Sequence, residues 1–281
     1  MNRLRAVSGT LLATATVVAA ATLGVATPAA ATPAAPVAPG VVTPAAAPIA
    51  SLGAVTPAAA GGVVIAAAAP AGLSGMDVSS YQGNVNWSAA WNNGARFAYV
   101  KATEGTYYTD PYFAQQYNGS YNVGMIRGAY HFARPDTTTG ATQANYLVDH
   151  GGGWSKDGRT LPAALDIEYN PYGATCYGLS QSAMRSWITS FVNQYHARTG
   201  RWATIYTTTD WWTTCTGNYS GFAATNPLWI ARYAGTVGTL PAGWSTYSFW
   251  QWASSGTLPG DQNVWNGSLD RLRVLACNGP C

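Results

Sequence analysis

The chain has 281 residues, of which 9% are charged, and it carries a formal net charge of +3 with 12 Trp and 17 Tyr. No cluster of Lys and Arg stands anywhere in it, which argues against a nucleic-acid partner. Few charges with many rings suit either an aromatic core or a surface for stacking, and composition alone does not choose between them.

The first residues have the pattern of an exported protein. Arg3 and Arg5 form a short basic start, an apolar run follows over 11–26, and Ala29, Ala30 and Ala31 offer a small-residue cleavage site. We therefore expect a signal peptide over 1–31 and a secreted, extracellular product. The apolar run is about 16 residues against the ~20 that a spanning helix needs, so stable membrane insertion is not expected. Without Arg3 and Arg5 the net charge falls from +3 to +1. Residues 32–72 are almost entirely Ala, Pro, Val, Gly and Thr, with no charge and no ring. Such a stretch has little to specify a core and reads as a disordered linker or pro-segment. The ordered domain is expected over 73–281, a length of 209 residues (281 − 72), which suits one core.

Four cysteines fall in that domain, as suits an oxidising compartment. Three pairings are possible. We expect Cys176–Cys215, joining two loops, with Cys277–Cys281 closing a short C-terminal loop. The spacing lacks a second close pair and only three His are present, so no metal site is expected.

In chain order, 75–79 reads as a first strand and 79–83 as a loop. A short helix over 87–93 ends at Gly94, and 96–103 is rich in strand formers up to Glu104. A helix is expected over 111–121, with Asp110 as its cap and Pro111 at its first position. The alternation then repeats, with a strand over 125–132, a helix over 139–149 and a strand over 161–168. The clearest helix spans 180–199, where Met184, Trp187, Ile188, Phe191, Val192 and Tyr195 recur at three- and four-residue spacing. Gly200 stands where a helix-ending glycine belongs. Further strands are expected over 202–207, 228–233 and 247–252. Strand–helix alternation implies an α/β architecture with mostly parallel strands. The last crossovers are too short for full helices, so the expected fold is a single irregular (β/α) TIM-like barrel.

Polar residues gather at the carboxyl ends of those strands: Asp77, Glu104, His131, Asp166, Glu168 and Gln251. In a parallel barrel that end holds the active site. Asp166 and Glu168 are two residues apart on one strand, so both point to the same face while Leu165 and Ile167 point to the other. Neighbouring carboxylates raise the pKa of at least one partner, and a protonated acid beside an ionised one is the equipment of glycoside hydrolysis. Of the 11 acids only Glu104 and Glu168 are glutamates. Asp77 and Asp261 have bland alternatives, a loop cap for the first and a turn for the second.

Seven stretches in order resemble a known family. They are Gly75-Met76-Asp77-Val78-Ser79-Ser80-Tyr81-Gln82-Gly83, Tyr99-Val100-Lys101-Ala102-Thr103-Glu104-Gly105 and Gly128-Ala129-Tyr130-His131-Phe132. Then come Ala164-Leu165-Asp166-Ile167-Glu168, Leu228-Trp229-Ile230-Ala231-Arg232-Tyr233, Trp250-Gln251-Trp252 and Asp261-Gln262-Asn263-Val264-Trp265-Asn266-Gly267. Together they are similar to the glycoside hydrolase family 25 lysozymes, the Chalaropsis-type N-acetylmuramidases, over essentially all of 73–281. The resemblance implies hydrolysis of the β-1,4 bond between N-acetylmuramic acid and N-acetylglucosamine in peptidoglycan, with no cofactor. It places Asp77, Asp166, Glu168 and Asp261 on the family's active-site acids, Glu168 as general acid, and Cys176–Cys215 on a disulfide of its secreted members.

Around those acids, Tyr130, Glu104, Tyr206 and Gln251 are expected to line the substrate cleft. His131, facing the other way from Tyr130, is expected to be structural, and Trp250 and Trp252 to face away from Gln251 into packing. Lys101 reads equally as an ion-pair partner or a substrate contact. Peptidoglycan glycan strands are the expected partner of a monomer. Two rival readings are a chitinase-like or glucosaminidase activity and a catalytically silent peptidoglycan-binding module.

Overall fold

A computed structural model describes residues 69–281. The expected signal peptide and nearly all of the expected linker lie outside the described residues. Nine strands form one sheet: β1 (Leu73–Val78), β2 (Phe97–Glu104), β3 (Tyr108–Thr109), β4 (Ile126–Phe132), β5 (Ala164–Asp166), β6 (Thr204–Thr207), β7 (Leu228–Ala231), β8 (Phe249–Ala253) and β9 (Asp261–Trp265). Eight of them close a barrel in the order β1-β2-β4-β5-β6-β7-β8-β9, because β1 pairs with both β2 and β9. From β1 round to β8 every pairing is parallel. The last strand, β9, runs antiparallel to both neighbours. β3 is a two-residue arm folded back on β2.

The helices are α1 (Trp87–Asn92), α2 (Phe113–Asn122), α3 (Gly140–Leu147), α4 (Gln181–Thr199), α5 (Thr209–Thr216) and α6 (Leu269–Cys277). Residues 232–248, which link β7 to β8, contain no helix. The barrel is therefore irregular, as the short crossovers imply. Along α4 the six apolar positions read from the spacing are all buried; Ser180 caps its start and Gly200, at φ 70°, ends it. Leu165, Ile167 and Ile205 on the outer face of the strands pack with Ile188 and Phe191 of that helix.

The inner face is filled by rings. Phe97, Tyr99, Tyr206, Trp229, Phe249 and Trp265 form one buried cluster. Tyr99 stacks on Trp229 with centroids 4.7 Å apart, and Phe249 lies 4.9 Å from Trp265 and 5.3 Å from Phe97. Gly75 and Gly128 make room for this plug, since a Cβ on either would come within 2.4 Å of the Phe97 or Tyr99 ring. A packed floor of this kind is what a small barrel needs, and here aromatic rather than branched side chains supply it.

Several local expectations are corrected. The strand read over 161–168 pairs only across Ala164–Asp166, because Pro162 has no N–H to give to a ladder. Glu168 nevertheless keeps the alternation, since Ile167 N donates to Tyr206 O at 3.0 Å. The helix read from Pro111 begins at Phe113 with Tyr112 as its cap residue. Asp110 instead accepts from Tyr112 N at 2.9 Å and Ser80 N at 2.7 Å, tying two loops together. Helices α5 and α6 and strand β9 were not among the expected elements. Cys215 therefore lies in a helix rather than a loop. It pairs with Cys176, and Cys277 pairs with Cys281.

The two disulfides close loops of very different length, 39 and 4 residues of separation. Chain entropy then predicts that Cys176→Ser with Cys215→Ser costs about 4 kcal/mol, and Cys277→Ser with Cys281→Ser about 2 kcal/mol. Denaturant melts of the two double variants check this. Equal midpoints would show that loop entropy does not govern these bridges.

Candidate active site

Because side chains alternate along a strand, one face of each strand delivers its polar residues to the top of the aromatic plug. Asp77 on β1, Tyr130 on β4, Asp166 on β5, Tyr206 on β6 and Gln251 on β8 all lie on that inner face. Asp261 joins them for a topological reason. β9 descends where its neighbours ascend, so its first residue pairs with Asp77 near the upper end of β1. Four carboxyls, Asp77, Asp166, Glu168 and Asp261, are thus brought to one mouth.

One half of the site is held by hydrogen bonds. Gln251 Nε2 donates to Asp77 Oδ2 at 2.9 Å and to Asp261 Oδ2 at 3.0 Å, so a single nitrogen bridges the two carboxyls. Gln251 Oε1 accepts from Tyr206 OH at 2.8 Å and Tyr233 OH at 3.0 Å. Asn263 Nδ2 donates to Asp77 Oδ2 at 2.6 Å, and its own carbonyl accepts from Trp229 Nε1 at 2.7 Å. Of this network, Tyr233, Asn263 and Trp229 are not among the site residues expected from the sequence. Asn263 stands two residues after Asp261 and shares its face, a signal that becomes visible once β9 is known to be a strand.

The other half is bare. Asp166 is 7% exposed, and no protein group among the described residues donates to its Oδ1. Burial pushes the Asp166 carboxyl well above the usual carboxylate range, with the Lys101 cation opposing and Asp77 and Glu104 adding to the rise. Glu168, 6% exposed, is raised for the same first reason and then by the charges of Asp166, Asp261 and Asp77. Burial also lifts Asp77 to about 6, against the hydrogen bonds from Gln251 and Asn263. Asp261 is pushed up to about 8 by burial and by Asp77. Such displaced acids, gathered at one mouth, are characteristic of functional sites.

The remaining sequence-selected residues take distinct places. A bulge in β2 after Lys101 turns both Lys101 and Glu104 inward. Lys101 Nζ donates to Glu104 Oε2 at 2.8 Å, while Glu104 Oε1 accepts from Tyr107 OH and Tyr172 OH, each at 2.7 Å. Burial raises Glu104, but Lys101 and these donors outweigh it and hold the carboxyl below its usual range. Lys101 is thus an ion-pair partner. Tyr130 pairs in register with Lys101 and lies edge-on to Trp229. Its hydroxyl is pushed well up by burial and then by the charges of Asp77 and Asp166. His131 faces outward: its Nε2 donates to Gln143 Oε1 at 2.9 Å and its Nδ1 accepts from Thr103 Oγ1 at 2.8 Å. Burial lowers it to about 4, so it is a neutral core residue. Trp250 and Trp252 pack on the outer face, as expected. Among the described residues no group of His, Cys, Asp and Glu has the arrangement of a metal site.

Known proteins resemble this chain in sequence and fold. The family of glycosyl hydrolases family 25 matches residues 76–261, a span that begins one residue before Asp77 and ends on Asp261. The chain belongs to that family. It is a glycoside hydrolase of the lysozyme type. It is 52% identical over 209 residues to lysozyme M1 of Streptomyces globisporus, covering 73% of this chain and 71% of that one. With the N,O-diacetylmuramidase of Chalaropsis sp it shares 50% identity over 72% of its own length and 98% of the relative's. The solved muramidase of Acremonium alcalophilum is 58% identical, with a TM-score of 0.73 over 73% of this chain and 99% of that one.

The acid cluster of this glycoside hydrolase carries a stability cost of definite sign. A carboxyl whose folded pKa is raised stays protonated in the fold at pH values where the unfolded chain has already ionised. Its contribution is therefore full below the unfolded value and is lost as pH rises through the folded one. For Asp261 that window runs from 3.8 to about 8. We expect Asp261→Asn to leave the melting temperature near wild type at pH 4, and to raise it by several degrees at pH 8 while lowering activity. Thermal melts across that range check the sign. A variant less stable than wild type at pH 8 would show that Asp261 is held by its partners rather than strained by burial.

Proposed function

We propose that this glycoside hydrolase is a secreted muramidase, cleaving the β-1,4 bond on the N-acetylmuramic acid side of peptidoglycan glycan strands with retention. The observation that carries the reading is the bare half of the site: a buried Asp166 oxygen without a protein donor, beside a Glu168 held in its acid form. Glu168 gives its proton to the glycosidic oxygen as the bond to the anomeric carbon breaks. Asp166 accepts the N–H of the sugar's 2-acetamido group and turns its carbonyl oxygen onto that carbon, in the substrate-assisted variant of glycoside hydrolysis. Glu168, now ionised, takes a proton from the water that opens the cyclic intermediate, which restores both the acetamido group and the acid.

An inverting route would need Asp77 or Asp261 as the base for water. Asp77 Oδ2 already accepts two N–H donors, and Asp261 Oδ2 accepts from Gln251 Nε2 and Tyr233 OH, so both are engaged with protein donors. Both points favour retention. A silent binding module would have no use for four strained carboxyls, and the relatives' names are those of enzymes. Secretion rests on the basic–apolar–small pattern of residues 1–31 and agrees with two disulfides. Among the described residues no helix is long and apolar enough to cross a membrane.

The deciding experiment digests purified peptidoglycan, reduces the new ends with borohydride and identifies them by mass spectrometry. Muramic-acid-derived ends are expected. Glu168→Gln and Asp166→Asn should each cost roughly a hundredfold or more in rate, the scale of a positioned acid–base group. Glucosamine-derived ends would overturn the bond assignment. An Asp166→Asn variant within a few-fold of wild type would overturn the substrate-assisted step.

A further inference from the structure

Two tyrosines at the mouth of the barrel are built in a way the acid chemistry does not require. Tyr107 follows β2 and Tyr172 follows Glu168 by four residues, and the two are 56% and 43% exposed. Exposed tyrosines ordinarily keep their rotamer freedom. These two are pinned, because both hydroxyls donate to the same buried oxygen, Glu104 Oε1, at 2.7 Å. Arg134 Nη1 donates to Tyr107 OH at 2.6 Å, and the guanidinium lies 4.3 Å from the Tyr172 ring centre and 5.6 Å from that of Tyr107. Asp136 in turn holds Arg134 by two bonds of 2.9 Å. The backbone also yields to the arrangement: residue 105 sits at φ +53°, and a Cβ there would come within 2.6 Å of the Tyr107 ring, so only glycine fits.

The register places this assembly. Glu104 pairs with Phe132, and Phe132 pairs with Asp166, so Glu104 stands level with Asp166 two strands away, roughly 10 Å at the usual strand spacing. Anything that runs from the acids towards β2 meets the two rings. Charge chooses the ligand. Lys101, Glu104, Arg134 and Asp136 are paired with one another and their formal charges cancel. What is left to a ligand is neutral aromatic surface, which gives no unpaired cation to the carboxylates of a stem peptide. It does fit the apolar C–H face of a neutral hexosamine ring, which meets the negative face of an aromatic system.

We propose that Tyr107 and Tyr172, clamped by Glu104, form an outer subsite on which a neutral N-acetylhexosamine of the glycan strand stacks, beyond the two sugars at the scissile bond. The proposal rests on the muramidase reading and deepens it. Because the rings are fixed before the sugar arrives, little ordering cost is charged to binding, and the subsite acts mainly on KM for long strands.

The test compares kcat and KM of the whole chain on long glycan strands, with and without their stem peptides, and on a tetrasaccharide that ends near the acids. For Tyr107→Ala with Tyr172→Ala, the ratio of long-strand to tetrasaccharide kcat/KM is expected to fall about tenfold through KM, the scale of two ring contacts. Gly105→Ala, which keeps both rings but displaces Tyr107, should lower the same ratio and serves if the double variant does not fold. An unchanged ratio in a folded variant overturns the proposal. So does an equal fall on both substrates, which would mean that the rings act on the acids through Glu104. An effect confined to peptide-bearing strands would replace the sugar by the stem peptide. Failure of the muramidase reading shows separately, as wild-type enzyme that releases no muramic-acid ends.

Discussion

The constraint on which this molecule turns is the desolvation of four carboxyls above a floor of aromatic rings. Phe97, Tyr99, Trp229, Phe249 and Trp265 fill the barrel beneath the acids, so the charged forms lose water and gain little from below. Burial is the first cause of every upward displacement at Asp77, Asp166, Glu168 and Asp261. At Asp77 and Asp261 the compensation that the fold supplies is made of dipoles rather than cations. Gln251, Asn263 and Tyr233 hydrogen-bond Asp77 and Asp261, and a neutral donor stabilises a carboxylate less than a guanidinium would. Lys101 is a cation in the same mouth, but its ammonium is already paired with Glu104. Protons therefore stay on the cluster at pH values where ordinary carboxyls have lost theirs. That retention is what an acid catalyst needs.

Topology delivers the fourth acid. In an all-parallel barrel the residue that opens a strand lies at the far end from the active site. The reversal of β9 puts Asp261 opposite Asp77 and lets Asn263, two residues on, reach the Asp77 carboxylate. A smaller irregularity works in the same direction on β2. The bulge after Lys101 brings a lysine and a glutamate three residues apart onto one face, where strict alternation would have separated them.

These two irregularities mark the limit of what the sequence discloses. Strand–helix alternation, the α4 periodicity and the face shared by Asp166 and Glu168 all follow from local patterns, and the structure keeps them. The helix-ending Gly200 and the outward His131 are legible for the same reason. Strand β9 was not, since Asp261-Gln262-Asn263 is too polar to look like a strand until its neighbours are known. Helix α5, of eight residues, is as short as a turn-rich stretch, and propensity alone does not separate the two. Tyr233 joins the site only because the chain leaves β7 towards Gln251. β5 is shorter than its apolar run because Pro162 has no N–H to give to a ladder. The four acids could be named from motifs, but which of them are held and which are bare depends on partners far along the chain.

That division of the acids has a thermodynamic consequence for the proposed reaction. Donors are concentrated on Asp77 and Asp261, while Asp166 Oδ1 is buried with none. A buried acceptor without a protein donor gains more from a new hydrogen bond than one already satisfied. A substrate that brings an N–H to the Asp166 carboxyl supplies a donor that the described residues do not. The gain is largest when the acetamido group is turned for attack and its nitrogen is becoming more positive. An interaction that strengthens along the reaction coordinate lowers the barrier rather than merely tightening the complex. Had the network extended to Asp166, the fold would be more stable and the carboxylate better satisfied, with less left to give the transition state.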